Sequence, residues 1–305
     1  MNKSTHIKSI SELHTFLELA RPAHPLISVI PMDALKNKAE SNSSYTFDLY
    51  QISFKKGLSC DMQYGRSTYD FDDGSVIFLA PGQTATVTNI ESSEDASGWT
   101  LVFHADLLKH TALSNKMEQY SFFEYDSNES LHLSEKEIAI VADFVDKILY
   151  ETSLNMDRHT QALLCSHLEL MLGYCTRFYD RQFYVRSDLN KKYVTRFEAL
   201  LNGYYQSEKP LELGVPTVQY CGKELGLSPY YLSDLLKRET GKTALEIIHL
   251  FLVEKAKKMM AEERLSITQI SCDLGFEYPQ HFSKLFKAKA GMSPREFKSS
   301  SQTKH

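Results

Sequence analysis

VQYCGKELGLSPYYLSDLLKRETGKTALEII (residues 218–248) and ITQISCDLGFEYPQHFSKLFKAKAGMSPREFK (residues 267–298) are two copies of one pattern. They align at an offset of 49 as far as Gly226 and Gly275, and at 50 beyond, so the second turn is one residue longer. Each copy opens with apolar or small residues at i, i+3, i+4 and i+7: Val218, Cys221, Gly222 and Leu225, then Ile267, Ile270, Ser271 and Leu274. That spacing predicts a short amphipathic helix. Gly222 and Ser271 share a position where a small side chain lets another segment cross closely. Gly226 and Gly275 stop the helix, because the left-handed conformation at a helix end favours glycine. Leu227 and Phe276 turn inward.

A second helix follows in each copy. Ser228 and Pro229 provide an N-cap and an N1 proline in the first. Leu232, Leu235 and Leu236 match Phe282, Leu285 and Phe286 on a buried face. Tyr230, Ser233, Asp234 and Lys237 are left outward in one helix, and Gln280, Ser283, Lys284 and Lys287 in the other, with Pro279 near its start. Gly241 and Gly291 end these helices. Capping boxes mark the next starts at Thr243/Glu246, Ser266/Gln269 and Ser293/Glu296. Helix, glycine turn and a second helix with a polar outer face make a helix-turn-helix. Such a second helix fits the major groove of double-stranded DNA, where outward side chains meet base edges while lysines and helix N-termini meet phosphate. The units at 218–241 and 267–291, joined by one helix over about 243–262, are expected to enter successive grooves about 34 Å apart.

Charge fits this division. The chain has 305 residues, 42% of them hydrophobic, and a net charge of −5. Residues 1–190 carry 16 Lys+Arg against 26 Asp+Glu, or −10, whereas residues 191–305 carry 18 against 13, or +5. An acidic first part joined to a basic part that meets a polyanion is the natural reading. The length suggests two domains. The five cysteines form no CxxC pair, which argues against a disulfide framework or a zinc ribbon. No apolar run is long enough for a membrane span, and the first residues lack a signal-peptide pattern, so a cytoplasmic protein is expected.

The first part reads as short strands at 45–54, 58–64, 75–79 and 98–103, punctuated by Gly57, Gly65, Gly74 and Pro81-Gly82. This suggests a β-sandwich or small barrel. A capping box at Ser134/Glu137 then starts helical periodicity through Ile138, Val141, Val145, Ile148 and Leu149, and a second helix is expected over about 157–183. These two helices either pack on the sheet or form a dimer seam. The polar stretch 185–192 marks a boundary, and helix is expected from Tyr193 on, broken by a loop at 207–216.

At these residues the chain resembles the AraC/XylS family of transcriptional regulators. LGLSPYYLSDLLKRETG resembles its first helix-turn-helix and ISCDLGFEYPQHFSKLFKAKAGMSPREFK its second, within a resemblance covering residues 193–298. YGRSTYDFDDGSVIFLAPGQ and GWTLVFHADLL more loosely resemble the cupin-like sensor half of some members. The fold so implied is α+β and multidomain. It has a cupin-like β-barrel at 1–133, a helical dimerisation segment at 134–186 and an all-α DNA-binding domain of seven helices at 187–305.

The resemblance implies that Tyr230, Ser233, Asp234, Pro279, Gln280, Ser283 and Lys284 contact bases, and that Ser228, Lys237 and Lys287 contact phosphate. It implies sequence-specific regulation by a homodimer, as an activator or a repressor, with RNA polymerase as a protein partner. A small effector is expected in the first domain, at residues the sequence leaves unassigned. Asp234 departs from the basic or amide side chains common at its position; it either accepts from a cytosine amino group or weakens the first unit by repelling phosphate. Leu252 stands where many members have arginine, and Pro279 replaces a polar reader. An alternative makes the first domain a ligand-free dimerisation module, with control by expression level. A remoter one makes it a metal-dependent cupin enzyme, but there is no His-x-His pair, His104 reads as structural, and no nucleophile–base pair has a diagnostic spacing. No cofactor, metal ligand or catalytic residue is therefore assigned.

Overall fold

The computed structural model describes residues 4–36, 43–59, 74–87, 91–262 and 265–302. It divides into two compact units, residues 1–185 and 186–305. Among the described residues the first unit contains β1 (Ser4–Ile7), α1 (Ile10–Phe16), β2 (Ile27–Pro31), α2 (Met32–Lys36), β3 (Ser43–Phe47), β4 (Leu49–Ser59), β5 (Ser75–Leu79), β6 (Thr84–Val87), β7 (Glu91–His104) and β8 (Leu131–His132). Four 3-10 turns lie between β7 and β8, and two long helices, α3 (Glu135–Ser153) and α4 (Thr160–Val185), complete it.

The strands form two open sheets rather than a barrel. One has the order β1-β3-β6 and the other β2-β7-β4-β5-β8. The run read as one strand at 45–54 breaks at Asp48 and serves both sheets. There the Asp48 N–H donates to the Ile7 carbonyl at 2.9 Å, and its carboxylate accepts from His6 Nε2 at 2.8 Å. The apolar faces are covered by helices instead of by a closing curve of sheet. On one side, Ile10, Leu13 and Leu17 from α1 and its C-cap pack with Ile30, Leu49 and Val102. On the other, Phe78 meets Phe122 at 4.4 Å between ring centroids, and Phe122 stacks on Tyr179 of α4 at 5.4 Å. Helix α1 carries a cap the sequence reading passed over, with the Ser9 hydroxyl accepting from the Glu12 N–H. Part of the expected strand 58–64, with Cys60, Tyr64, Tyr69 and Phe71, lies outside the described residues.

Helices α3 and α4 pack on the sheet. Buried Gln182 accepts from the His132 N–H at 2.8 Å and donates to the Ser130 carbonyl at 3.0 Å. Arg181 reaches Glu137 at 2.8 Å and the His132 carbonyl at 2.6 Å. Glu137 also receives the Ser134 N–H in the expected capping box.

The second unit is helical throughout: α5 (Ser187–Tyr204), α6 (Lys209–Leu213), α7 (Val218–Leu225), α8 (Pro229–Thr240), α9 (Ala244–Glu262), α10 (Ile267–Asp273), α11 (Pro279–Ala290) and α12 (Pro294–Gln302). Helix α5 begins at Ser187 rather than Tyr193, since its polar first turns contain no Gly or Pro and Asp188 suits a helix N-terminus. The loop expected at 207–216 holds α6, started by Pro210 in its first turn. This makes eight described helices where seven were expected. Phe197 and Leu201 of α5 are fully buried, and Asn190 donates to Glu239 of α8 at 3.3 Å.

Candidate nucleic-acid interface

Helices α7 and α8 make one helix-turn-helix, α10 and α11 the other. In the first, Thr217 caps α7 by accepting from the Tyr220 N–H, and Gly226 ends it in the left-handed region, φ +73°. The chain then doubles back tightly. A Cβ on Gly222 would stand 2.6 Å from the Leu227 carbonyl oxygen, so the small residue is demanded by the turn's own backbone. The Leu227 N–H closes that turn on the Gly222 carbonyl at 2.9 Å. Helix α8 starts at Ser228, whose hydroxyl accepts from the Tyr231 N–H at 3.2 Å.

The second unit repeats these contacts with one residue added. The Phe276 N–H bonds the Ser271 carbonyl at 3.0 Å, in the same relation as Leu227 to Gly222. Ser271 is fully buried, and its hydroxyl has no partner among the described residues, an arrangement that costs about 1–3 kcal/mol relative to a small apolar residue. The extra residue puts Tyr278 where Ser228 caps the first unit, and Tyr278 makes no side-chain cap. Gly275 sits at φ +88°, and a Cβ there would lie 2.5 Å from the Gly214 carbonyl carbon. The second turn is thus pressed against the segment just after α6, which Tyr204 holds by donating to the Gly214 carbonyl at 2.8 Å. Tyr205, beside it, donates to the Leu274 carbonyl at 3.3 Å, and burial pushes its hydroxyl well above the usual tyrosine range.

The inner faces of α8 and α11 are apolar. Leu232, Leu235 and Leu236 are wholly buried, as are Phe282 and Phe286. Leu285, expected inside, is half-buried. Leu252 of α9 is fully buried, so this leucine is core packing in the connecting helix. Outward, Tyr230 and Lys237 are exposed on α8, with Ser233 and Asp234 half-buried. On α11, Gln280, Lys284 and Lys287 are exposed, while Pro279 and Ser283 are half-buried. The Ser283 hydroxyl donates to the Pro279 carbonyl at 3.0 Å. Ser228 is buried, and its hydroxyl accepts from the Tyr231 N–H as the cap.

Arg238, His281 and Lys289 are also exposed on these helices, outside the set that the sequence pattern points to. Comparing the copies reveals His281, because it pairs with Tyr231, which is buried; its ring lies edge-on to Tyr278 at 5.5 Å. Thr243 bonds Glu246 through its N–H and hydroxyl. These bonds hold the Glu246 carboxyl below the usual range, helped by the charges of Lys289 and Lys237.

In the first unit His104 accepts the Asp106 N–H at 3.1 Å and caps a 3-10 turn. Among the described residues no group of three or more His, Cys, Asp or Glu is placed to hold a metal ion, and no helix is long and apolar enough to cross a membrane.

Residues 221–300 match a family described as a helix-turn-helix domain. The chain is 35% identical over 92 residues to the uncharacterized transcriptional regulatory protein YesN of Bacillus subtilis, covering 28% of this chain and 25% of that protein. It is 29% identical over 108 residues to the Msm operon regulatory protein of Streptococcus mutans, covering 35% and 36%. It is 34% identical over 70 residues to the uncharacterized HTH-type transcriptional regulator YobQ of Bacillus subtilis, covering 23% and 29%. The chain therefore spans only a quarter to about a third of the length of these relatives.

Proposed function

We propose, with the helix-turn-helix domain at 221–300 as premise, that this chain is an AraC-type transcription regulator binding specific double-stranded DNA through two recognition helices. The observation that carries the reading is the repetition itself. Two helix-turn-helix units share recognition helices that open on a proline, end on a glycine and bury an apolar inner face, and each leaves a polar stripe outward. The relatives, described as transcriptional regulators, support it. In this reading Tyr230, Ser233, Asp234, Pro279, Gln280, Ser283 and Lys284 face base edges, and Lys237 and Lys287 face phosphate. Ser228, at the N-terminus of α8, is placed with these lysines on the phosphate side. Chemical footprinting of the full chain on a selected site should show two protected major-groove segments about one helical turn apart. Protection of one groove alone would mean that a single unit engages.

The first unit is then the regulatory half, acting with the DNA in the cytoplasm and toward RNA polymerase. A buried polar strip on β4 and β7 supports a small effector there: Ser53 bonds Thr100 at 2.9 Å, and the nearby buried Gln51 has an amide nitrogen with no partner among the described residues. A thermal-shift screen that finds no stabilising metabolite would favour the ligand-free alternative. Homodimer formation is supported by apolar side chains left outside the α3–α4 packing, among them Leu163 at 45% and Leu170 at 54% exposure, one heptad apart on α4. The substitutions Leu163→Glu and Leu170→Glu together should convert a dimer to a monomer in sedimentation at micromolar concentration. A dimer that survives them places the seam elsewhere.

A further inference from the structure

The two recognition helices align residue for residue, Pro229 with Pro279 through Gly241 with Gly291. Their outward positions fall into two kinds. Ser233 and Ser283 are identical, as are Lys237 and Lys287, whereas Tyr230 faces Gln280 and Asp234 faces Lys284 in the alignment. The sugar-phosphate backbone is the same in any half-site, and the bases are not. The matching lysines suit the shared backbone and the differing side chains suit the bases, while a serine hydroxyl, donor and acceptor at once, meets any base edge. Charge separates the helices further. Residues 229–240 have two acidic and two basic side chains, and residues 279–290 have three lysines and no acid.

A carboxylate turned toward DNA is repelled by phosphate unless it finds a donor. The major groove offers such donors only as exocyclic amino groups, cytosine N4 and adenine N6, and a carboxylate pairs best with cytosine. A lysine has donors only, and meets its match in guanine O6 and N7. Lys237 and Arg238, one turn beyond Asp234 and both exposed, supply compensating positive charge. We propose that Asp234 and Lys284 read opposite base edges, Asp234 a cytosine amino group and Lys284 a guanine, so that the two halves of the operator are unlike in sequence. This rests on the DNA-binding reading above.

The test is selection of bound sequences from a random double-stranded pool by the full chain and by D234A, D234N and K284A, with thermal melting of each variant. The wild type should enrich a two-part site with a cytosine in one half and a guanine in the other. D234A should lose the cytosine preference at that position, by about fivefold or more, and leave the other half intact. D234N should shift the same position toward adenine, and K284A should lose only the guanine. If D234A and D234N melt normally and select the wild-type site unchanged, Asp234 reads no base and the proposal is overturned. A loss of preference at every position with normal melting overturns it too, since Asp234 would then hold the helix rather than read DNA. If D234A fails to fold, the near-isosteric D234N decides. A wild-type chain that enriches no site overturns the DNA-binding reading itself.

Discussion

Replacing Gly275 by alanine should destabilise the second unit by about 3 kcal/mol, seen as a lower denaturation midpoint at unchanged slope. A non-glycine residue in the left-handed region costs roughly 1–2 kcal/mol, and forcing backbone apart in a packed interior adds about 1–3 kcal/mol. Both apply here, because φ is +88° and the added carbon would lie 2.5 Å from Gly214 and 2.8 Å from the Pro210 carbonyl oxygen. Gly291 supplies the control. It has φ +78° but nothing within 4 Å of a Cβ, so Gly291→Ala should cost only the conformational part. Equal losses for the two variants would mean that the contact with the 210–214 segment contributes nothing.

The double substitution Lys284→Ala, Lys287→Ala should weaken binding to a selected site by roughly 100-fold at moderate salt. The two lysines are exposed on α11, three residues apart on its outward face. They should fail differently when removed singly. Lys287→Ala should weaken cognate and scrambled DNA alike and flatten the salt dependence by about 0.9 in log–log slope, the value for one phosphate contact. Lys284→Ala should narrow the gap between cognate and scrambled DNA by about 1–3 kcal/mol. An unchanged slope after Lys287→Ala removes that residue from the phosphate contacts.

Much of the second unit was legible because its signals are local. Glycine at a left-handed end, a serine or threonine three residues before Glu or Gln, and leucines at helical spacing each act within one or two turns. The capping boxes at Thr243, Ser266 and Ser293 are present. Reading failed where long-range contact decides. Nothing near Gly275 announces that its neighbour is Gly214, sixty-one residues earlier. The burial of Ser228 likewise depends on how α8 packs, which its neighbours in sequence do not announce. In the first unit, Asp48 divides one apparent strand between two sheets through a hydrogen bond to Ile7, and alternation along a single strand carries no trace of which sheet each half joins. The sheets therefore stay open where the resemblance implied a barrel.

Helix α11 begins without a side-chain cap, and the small-residue position in the helix before it holds a hydroxyl with no partner among the described residues. Each lowers the free energy at which that end of the chain opens locally. Amide protons of α11 should accordingly exchange with solvent sooner than those of α8. The more positive of the two helices should then also be the more readily opened.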